Sequence, residues 1–266
     1  MTISFNSLGN LGRLGNQMFQ YAALRGIAAK HGYDYCLPPV DLIGTHDQNC
    51  ALSDANIFNT FKLPLVEQKV LNAPVVQEAS FEFDTNLFNN CIDNSDLFGY
   101  FQTEKYFLHI KENIRKAFSF KDELYNNCLE QFSSEFGTTE VISIHVRRGD
   151  YINYTHHPIQ NISYYEKSLS YFNNNLPVIV FSDDIEWCRN QQIFDNDRFI
   201  LSEGNSTQVD LCLQTFCNYH IIANSSFSWW GAWLAKSKKV IAPKNWFGPP
   251  LTHNTKYLYP SSWIII

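Results

Sequence analysis

The densest group of chemistry-bearing residues in this chain is His145-Val146-Arg147-Arg148-Gly149-Asp150-Tyr151. An arginine presents a planar fork of N–H donors that matches a phosphate, and it keeps its charge at any working pH. Two adjacent arginines beside a glycine and an aspartate suit a doubly charged anion. The same residues could equally close a surface ion-pair cluster between Arg148 and Asp150. Two further groups carry similar potential. Ser182-Asp183-Asp184 offers carboxylates that could accept from a ligand or cap a helix. Asn224-Ser225-Ser226, followed by Phe227-Ser228-Trp229-Trp230-Gly231, offers hydroxyls and helix-start N–H groups that could hold a phosphate or serve as an ordinary N-cap.

Each group follows an apolar run. Val141, Ile142, Ile144 and Val146 precede the first, residues 177–181 the second and residues 220–223 the third. Runs of this kind read as strands of a parallel sheet buried on both faces. Further strands are expected at 199–201 and 240–242. Helices are expected at 163–173, around Trp187 and Cys188, at 207–217 and at 227–236. Strand and helix in strict turn mean an α/β, doubly wound sheet. All strand tips then lie on one edge, where ligands bind, so the three polar groups can converge on one ligand.

The first half is less regular. Gly9-Asn10-Leu11-Gly12-Arg13-Leu14-Gly15-Asn16-Gln17 is a glycine-rich turn that feeds a helix, marked by Met18, Tyr21, Ala22, Leu24, Arg25 and Ala28. Its spacing is G-x-x-G-x-x-G rather than the G-x-G-x-x-G of dinucleotide folds. An NAD(P)-dependent oxidoreductase with Asp41 as the ribose-binding acid is therefore the weaker alternative. Residues 38–98, broken by Pro39, Pro64 and Pro74, predict short strands, turns and loops. Gly99-Tyr100-Phe101-Gln102-Thr103-Glu104-Lys105-Tyr106 follows; Tyr100 and Gln102 could line a sugar or simply pack a helix start. Residues 105–118 and 121–136 predict two helices, the second with Asp122 and Glu123 at its start.

His145-Val146-Arg147-Arg148-Gly149-Asp150-Tyr151 resembles the H-x-R-R-G-D motif of the α1,2-, α1,6- and O-fucosyltransferase superfamily. Gly12-Arg13-Leu14-Gly15-Asn16-Gln17-Met18-Phe19-Gln20-Tyr21, Gly99–Tyr106 and Asn224–Trp233 are similar to further motifs of its α1,2 branch, glycosyltransferase family 11. The likeness runs from about residue 9 to about residue 247, and several motifs in one order are far more specific than any one. It implies a GT-B type enzyme, two Rossmann-like domains facing a cleft, with residues 1–138 on the acceptor side and 139–266 binding GDP-fucose. The implied reaction is inverting transfer of L-fucose to the 2-hydroxyl of a galactose in a glycan. The implied acceptor is a galactose-terminated oligosaccharide or lipid-linked glycan; a protein hydroxyl is the alternative within the superfamily.

The resemblance also implies roles. Arg147 stabilises the departing pyrophosphate with help from Ser225 and Ser226, next to Phe227. Asp183 and His145 meet the guanine base. Asn16, between Gly15 and Gln17, lies in the active site; an amide is no strong base, so it would position the attacking hydroxyl. Asp150 orients Arg148 or Asn16, or acts as base. The α1,6 relatives carry a glutamate shortly after the motif aspartate, whereas residues 151–163 here contain only His156 and His157 as titrating candidates besides tyrosines. No cofactor or metal is expected. Asp195-Asn196-Asp197 has the D-x-D form of metal-dependent transferases but looks like turn chemistry.

Bulk properties fit. The 266 residues are comfortable for two domains, with 45% hydrophobic residues to fill both. A net charge of −6 argues against a nucleic-acid partner while leaving room for a local basic pocket. Seven cysteines with no C-x-x-C read as free buried thiols. No apolar stretch is long enough for a signal peptide or a transmembrane helix, so a cytoplasmic site is expected, peripheral at the membrane face where glycans are assembled. The clustered Trp229, Trp230 and Trp233 could stack on sugars as in a lectin, but their spacing fits a helical core stripe better.

Overall fold

The computed structural model describes residues 1–43 and 55–266, which are built on short parallel strands with helices between them. They pack as two units: residues 1–121 with 253–260, and residues 122–252 with 261–266.

The first unit runs β1 (Thr2–Ser4), α1 (Leu14–His31), β2 (Asp34–Leu37), α2 (Ile57–Thr60), β3 (Glu67–Gln68), β4 (Val75–Gln77), α3 (Thr85–Asn90), β5 (Ser95–Phe98) and α4 (Lys111–Ala117). Its sheet has the order β3-β2-β1-β5-β4, every pair parallel. Helix α1 is apolar nearly all round and buried accordingly, with Met18, Phe19, Tyr21, Leu24 and Ile27 inaccessible. It stops at Gly32, whose φ of 70° is the left-handed cap that glycine adopts without steric cost. The helix expected over 105–118 is broken. Two 3-10 turns, Glu104–Tyr106 and Leu108–Ile110, precede α4. Tyr106 and Phe107 are both fully buried there. Part of the irregular stretch expected at 38–98, residues 44–54, lies outside the described residues.

The second unit runs α5 (Asp122–Phe136), β6 (Ile142–Val146), α6 (Ile162–Leu169), β7 (Val178–Ser182), α7 (Ile185–Arg189), β8 (Phe199–Leu201), α8 (Thr207–Phe216), β9 (Tyr219–Ile221), α9 (Ser226–Leu234), β10 (Lys239–Ala242) and β11 (Ile264–Ile265). The sheet order is β11-β10-β9-β6-β7-β8, again all parallel. Strand β6 is buried along its whole length among Tyr165, Val178, Val180, Ile221 and Ile241. From β6 the chain winds outward to β7 and β8, then returns to lay β9 on the other side of β6. The division of the chain differs from the expected break between residues 138 and 139. Helix α5 belongs with the second unit because the rings of Tyr125 and Phe132 pack on Phe216 of α8 at 5.3 and 5.6 Å.

Trp229, Trp230 and Trp233 form the expected core stripe of α9, with ring centroids 5.0 to 6.2 Å apart. The six described cysteines are free and buried. No described helix is long and apolar enough to cross a membrane.

Candidate active site

The three polar groups sit at the tips of β6, β7 and β9, the adjacent central strands of the second sheet. The strand order reverses beside β6, and at such a switch point the loops diverge and leave a crevice for a ligand.

Arg147, the first residue beyond β6, is held from two sides. Its guanidinium pairs with Asp183 at 2.7 Å and with Asp150, and it lies over the Tyr151 ring at 5.0 Å. Arg148 turns the other way. Its backbone N–H donates to Asp183 Oδ1 at 2.8 Å, while its side chain pairs with Asp184 at 3.0 Å and lies 4.0 Å over the Trp187 ring. The expected link between Arg148 and Asp150 is therefore replaced: Asp150 serves Arg147, because successive side chains leaving a strand diverge. Asp184 also caps α7 as expected, accepting from Trp187 N–H at 3.1 Å. Gly149 makes the packing possible, since a Cβ there would lie 2.3 Å from Asp183 Oδ2.

His145 is buried within β6. Burial and then the nearby Arg147 charge push its imidazole down to about 3, so it is neutral near pH 7. Its Nδ1 is 2.9 Å from Ser228 Oγ, and its ring lies 5.4 Å from that of Phe227. Ser225 caps α9, its hydroxyl accepting from Phe227 N–H at 3.4 Å, and Ser226 opens the helix. Asn224 is scaffolding: its amide donates to the carbonyls of Pro158 and Trp246, both at 3.0 Å, and accepts from Gln160 at 3.1 Å. His157 is stacked on Tyr151 at 4.9 Å and packs near Phe247 at 5.6 Å.

In the first unit, Asn16 accepts at Oδ1 from Gln102 Nε2 at 2.9 Å and donates from Nδ2 to the Leu11 carbonyl at 3.0 Å. Gly12, at φ 97°, leaves room for it; a Cβ there would lie 2.1 Å from Asn16 Nδ2. Gly15 is buried at the start of α1. Gln17 points inward and accepts from Ile57 N–H at 3.2 Å, which anchors α2. Tyr100 is 43% exposed, whereas Gln102 is buried.

Two clusters escaped the sequence reading. One is Asp210, at the start of α8 beyond the tip of β8, which accepts from Ser202 Oγ at 2.7 Å, itself held by Asn205 at 2.9 Å. Burial raises its carboxyl to about 7 against the pull of those two partners. The strand before it, Phe199–Leu201, lies where the sequence places it, but Asp210 comes only after the following loop, inside α8, so it does not read as part of that tip. The other is Glu78, one of several acids in an irregular stretch with Glu82 and Asp84, so the sequence does not single it out. Asp195-Asn196-Asp197 is a turn, with Asn196 accepting from Arg198 N–H at 3.0 Å. Among the described residues, no three His, Cys, Asp or Glu side chains gather as a metal site requires.

A model of glycosyl transferase family 11 matches residues 4–266. The chain belongs to that family. An alpha-1,2-colitosyltransferase of Escherichia coli is 37% identical over 89% of this chain and 90% of its own length. Galactoside alpha-(1,2)-fucosyltransferase 1 of Saimiri boliviensis boliviensis is 28% identical over 86% of this chain and 65% of its own length. Among solved structures, NodZ alpha-1,6-fucosyltransferase of Bradyrhizobium, in a crystal soaked with GDP-fucose, superposes with a TM-score of 0.54 at 13% identity, over 92% of this chain and 95% of that one. Two parallel α/β units and these neighbours give the family 11 chain a fold of the GT-B class. It is a glycosyltransferase, and the oxidoreductase reading of residues 9–15 is set aside.

Proposed function

We propose that this family 11 enzyme transfers L-fucose from GDP-fucose to the 2-hydroxyl of a galactose residue in a glycan, with inversion and without a divalent metal. The observation that carries the reading is the clasped Arg147 at the tip of β6, the strand beside β9, whose tip leads into α9. In glycosyl transfer the sugar–phosphate bond breaks through an oxocarbenium-like state while negative charge grows on the leaving diphosphate. Preorganised donors aimed at that charge supply the largest catalytic contribution. Two carboxylates fix the arginine before substrate arrives, and the Ser225-Ser226 helix start adds neutral donors. In the first unit, Asn16 positions the attacking hydroxyl; as its oxygen bonds to the fucose carbon, the bond from that carbon to the diphosphate breaks and the hydroxyl proton passes to water.

Asp183 has both oxygens engaged, one by Arg147 and one by Arg148 N–H. Each oxygen keeps a further lone pair, so Asp183 can hold Arg147 and still meet the paired N–H donors of guanine, and Asp210 is a second candidate for that base contact. His145, neutral and buried, lines the floor of the same edge.

A second donor deserves a direct assay, because a relative at 37% identity is a colitosyltransferase. Colitose is fucose without one ring hydroxyl. A site that hydrogen-bonds a hydroxyl rejects the analogue lacking it by about ten-thousandfold, whereas a site that merely tolerates the group discriminates weakly. Incubation with GDP-fucose and with GDP-colitose over a panel of β-galactosides, followed by linkage analysis, decides. An α1,2-fucosylated galactoside is expected. Product from GDP-colitose alone assigns the other sugar, and a linkage other than 1,2 overturns the acceptor assignment.

A further inference from the structure

Glu78, the residue after β4, is only 8% exposed. Its Oε2 accepts from the backbone N–H groups of Tyr100 at 3.1 Å and Phe101 at 2.9 Å, and its Oε1 accepts from the Tyr106 hydroxyl at 3.1 Å. The rings of Phe5, Phe101 and Tyr106 pack edge to face beside it. A carboxylate among aromatic rings costs the fold stability, so its presence is best explained by the backbone it holds.

That backbone is strained. Phe101 has φ 53°, a left-handed conformation that bulky side chains rarely adopt, and Gly99 has φ 154°. A Cβ on Gly99 would lie 2.7 Å from Glu78 Cβ and 2.9 Å from its Oε2, so glycine is what admits the carboxylate. Gln102, the next residue along, gives its Nε2 to Asn16 Oδ1, and its own Oε1 is buried without a hydrogen-bond partner. Gln102 is thus shut away from solvent, and its one polar output is Asn16.

We propose that Glu78 is a positioning residue for transfer: its carboxylate holds the kinked turn at Tyr100 and Phe101 so that Gln102 fixes the side-chain amide of Asn16. This rests on the reading of Asn16 as the group that places the acceptor hydroxyl. Every link lies within the first unit. The titratable groups facing Glu78 are Tyr106, which donates to it, and Asp84, whose backbone N–H donates to the Tyr106 hydroxyl at 2.8 Å. Burial lifts the Glu78 carboxyl to about 7, opposed by the Phe101, Tyr106 and Tyr100 donors and reinforced by Asp84.

The test is a double-mutant cycle on the full chain, with turnover and GDP binding measured for Glu78→Ala, Gln102→Ala and both together. Each single change is expected to lower kcat about tenfold or more while GDP affinity stays within about twofold. The double variant should lose no more than the worse single one, because both act through one amide. Losses that multiply, or a folded Glu78→Ala with wild-type kcat, overturn the proposal. Should Glu78→Ala fail to fold, Glu78→Gln keeps the shape and is expected to lower kcat several-fold with little change in Tm. Independently of activity, the Gln102 side-chain amide resonances should shift in Glu78→Gln; unchanged resonances refute the positioning role. A wild-type chain that transfers neither sugar sinks the proposed function alone, since the resonances still report on Glu78.

Discussion

At the scale of the residue, the adjacent arginines differ more than their neighbourhood suggests. Arg147 is clasped by Asp150 and Asp183, whereas Arg148 is drawn to Asp184 and Trp187. Arg147→Lys should be nearly as damaging as Arg147→Ala, because an ammonium keeps the charge but not the rigid fork. One positioned donor to a developing anion is worth about 3–4 kcal/mol, or about a hundred- to a thousandfold in kcat. Arg148→Lys should cost far less turnover and show mainly as a lower Tm. Steady-state kinetics beside circular dichroism separates the cases, and the reverse ranking would mean the arginines are wrongly assigned. A second comparison concerns the acids. Asp183→Asn, or Asp210→Asn where that acid is the base contact, should weaken GDP binding by about ten- to a hundredfold, as loss of a charged hydrogen-bond partner does. Asp183→Asn should also lower kcat, and little further in an Arg147→Ala background. Calorimetric GDP titration of both variants checks this. The paired arginines, the tip carboxylates and the serines were legible because their types are unusual after an apolar run. Which acid serves which arginine was not, since that depends on side-chain direction rather than order along the chain.

At the scale of the element, the three tips are rigid because each ends a buried strand, and at Gly149 two of them come too close for a side chain. Gly149→Ala should drive a methyl group into Asp183 Oδ2. The ion pair to Arg147 must then move, and a displacement near 1 Å in a catalytic group costs about a hundredfold in rate. Melting temperature should change little, as the loop is at the surface of the sheet edge. Turnover within about threefold of wild type would show that the clasp is not needed. Strands β6, β7 and β9 were readable from apolar runs, and the helices after them from spacing. Strands β3, β4 and β5 were not. They have two to four residues, and β5 begins Ser95-Asp96, with Asp96 accepting from Ser4 Oγ at 2.9 Å and Asn6 N–H at 2.7 Å. A polar pair satisfied by a neighbouring strand carries no hydrophobic signature.

At the scale of the whole molecule, buried titrating groups give stability two opposing slopes with pH. Burial holds His145 down to about 3 and His220 down to about 4, from an ordinary value of 6.5. Their contribution is complete above 6.5 and is lost as pH falls through the folded values. Burial raises Glu78 and Asp210 to about 7 from 4.5 and 3.8. Their contribution is complete at low pH and is lost as pH rises to 7. Glu78→Gln, which removes one titration, should therefore melt higher relative to wild type at about pH 8 than at about pH 5. Thermal scans at both values check the sign, and a difference independent of pH would remove the raised carboxyl from the account. Transfer in excess chelator should keep most of its rate, as the donors to the leaving group belong to the protein; loss reversed by manganese or magnesium would contradict this.

The path of the chain between the two units bears on how the protein is made. Residues 253–260 return to the first unit, and residues 261–266 go back to supply β11 at the edge of the second sheet. During synthesis neither unit is complete until these last segments have left the ribosome. A chain truncated after residue 252 would present β10 without its outer neighbour and a first unit without residues 253–260. Halves expressed separately, cut where the two units first part, would therefore each lack a piece carried by the other.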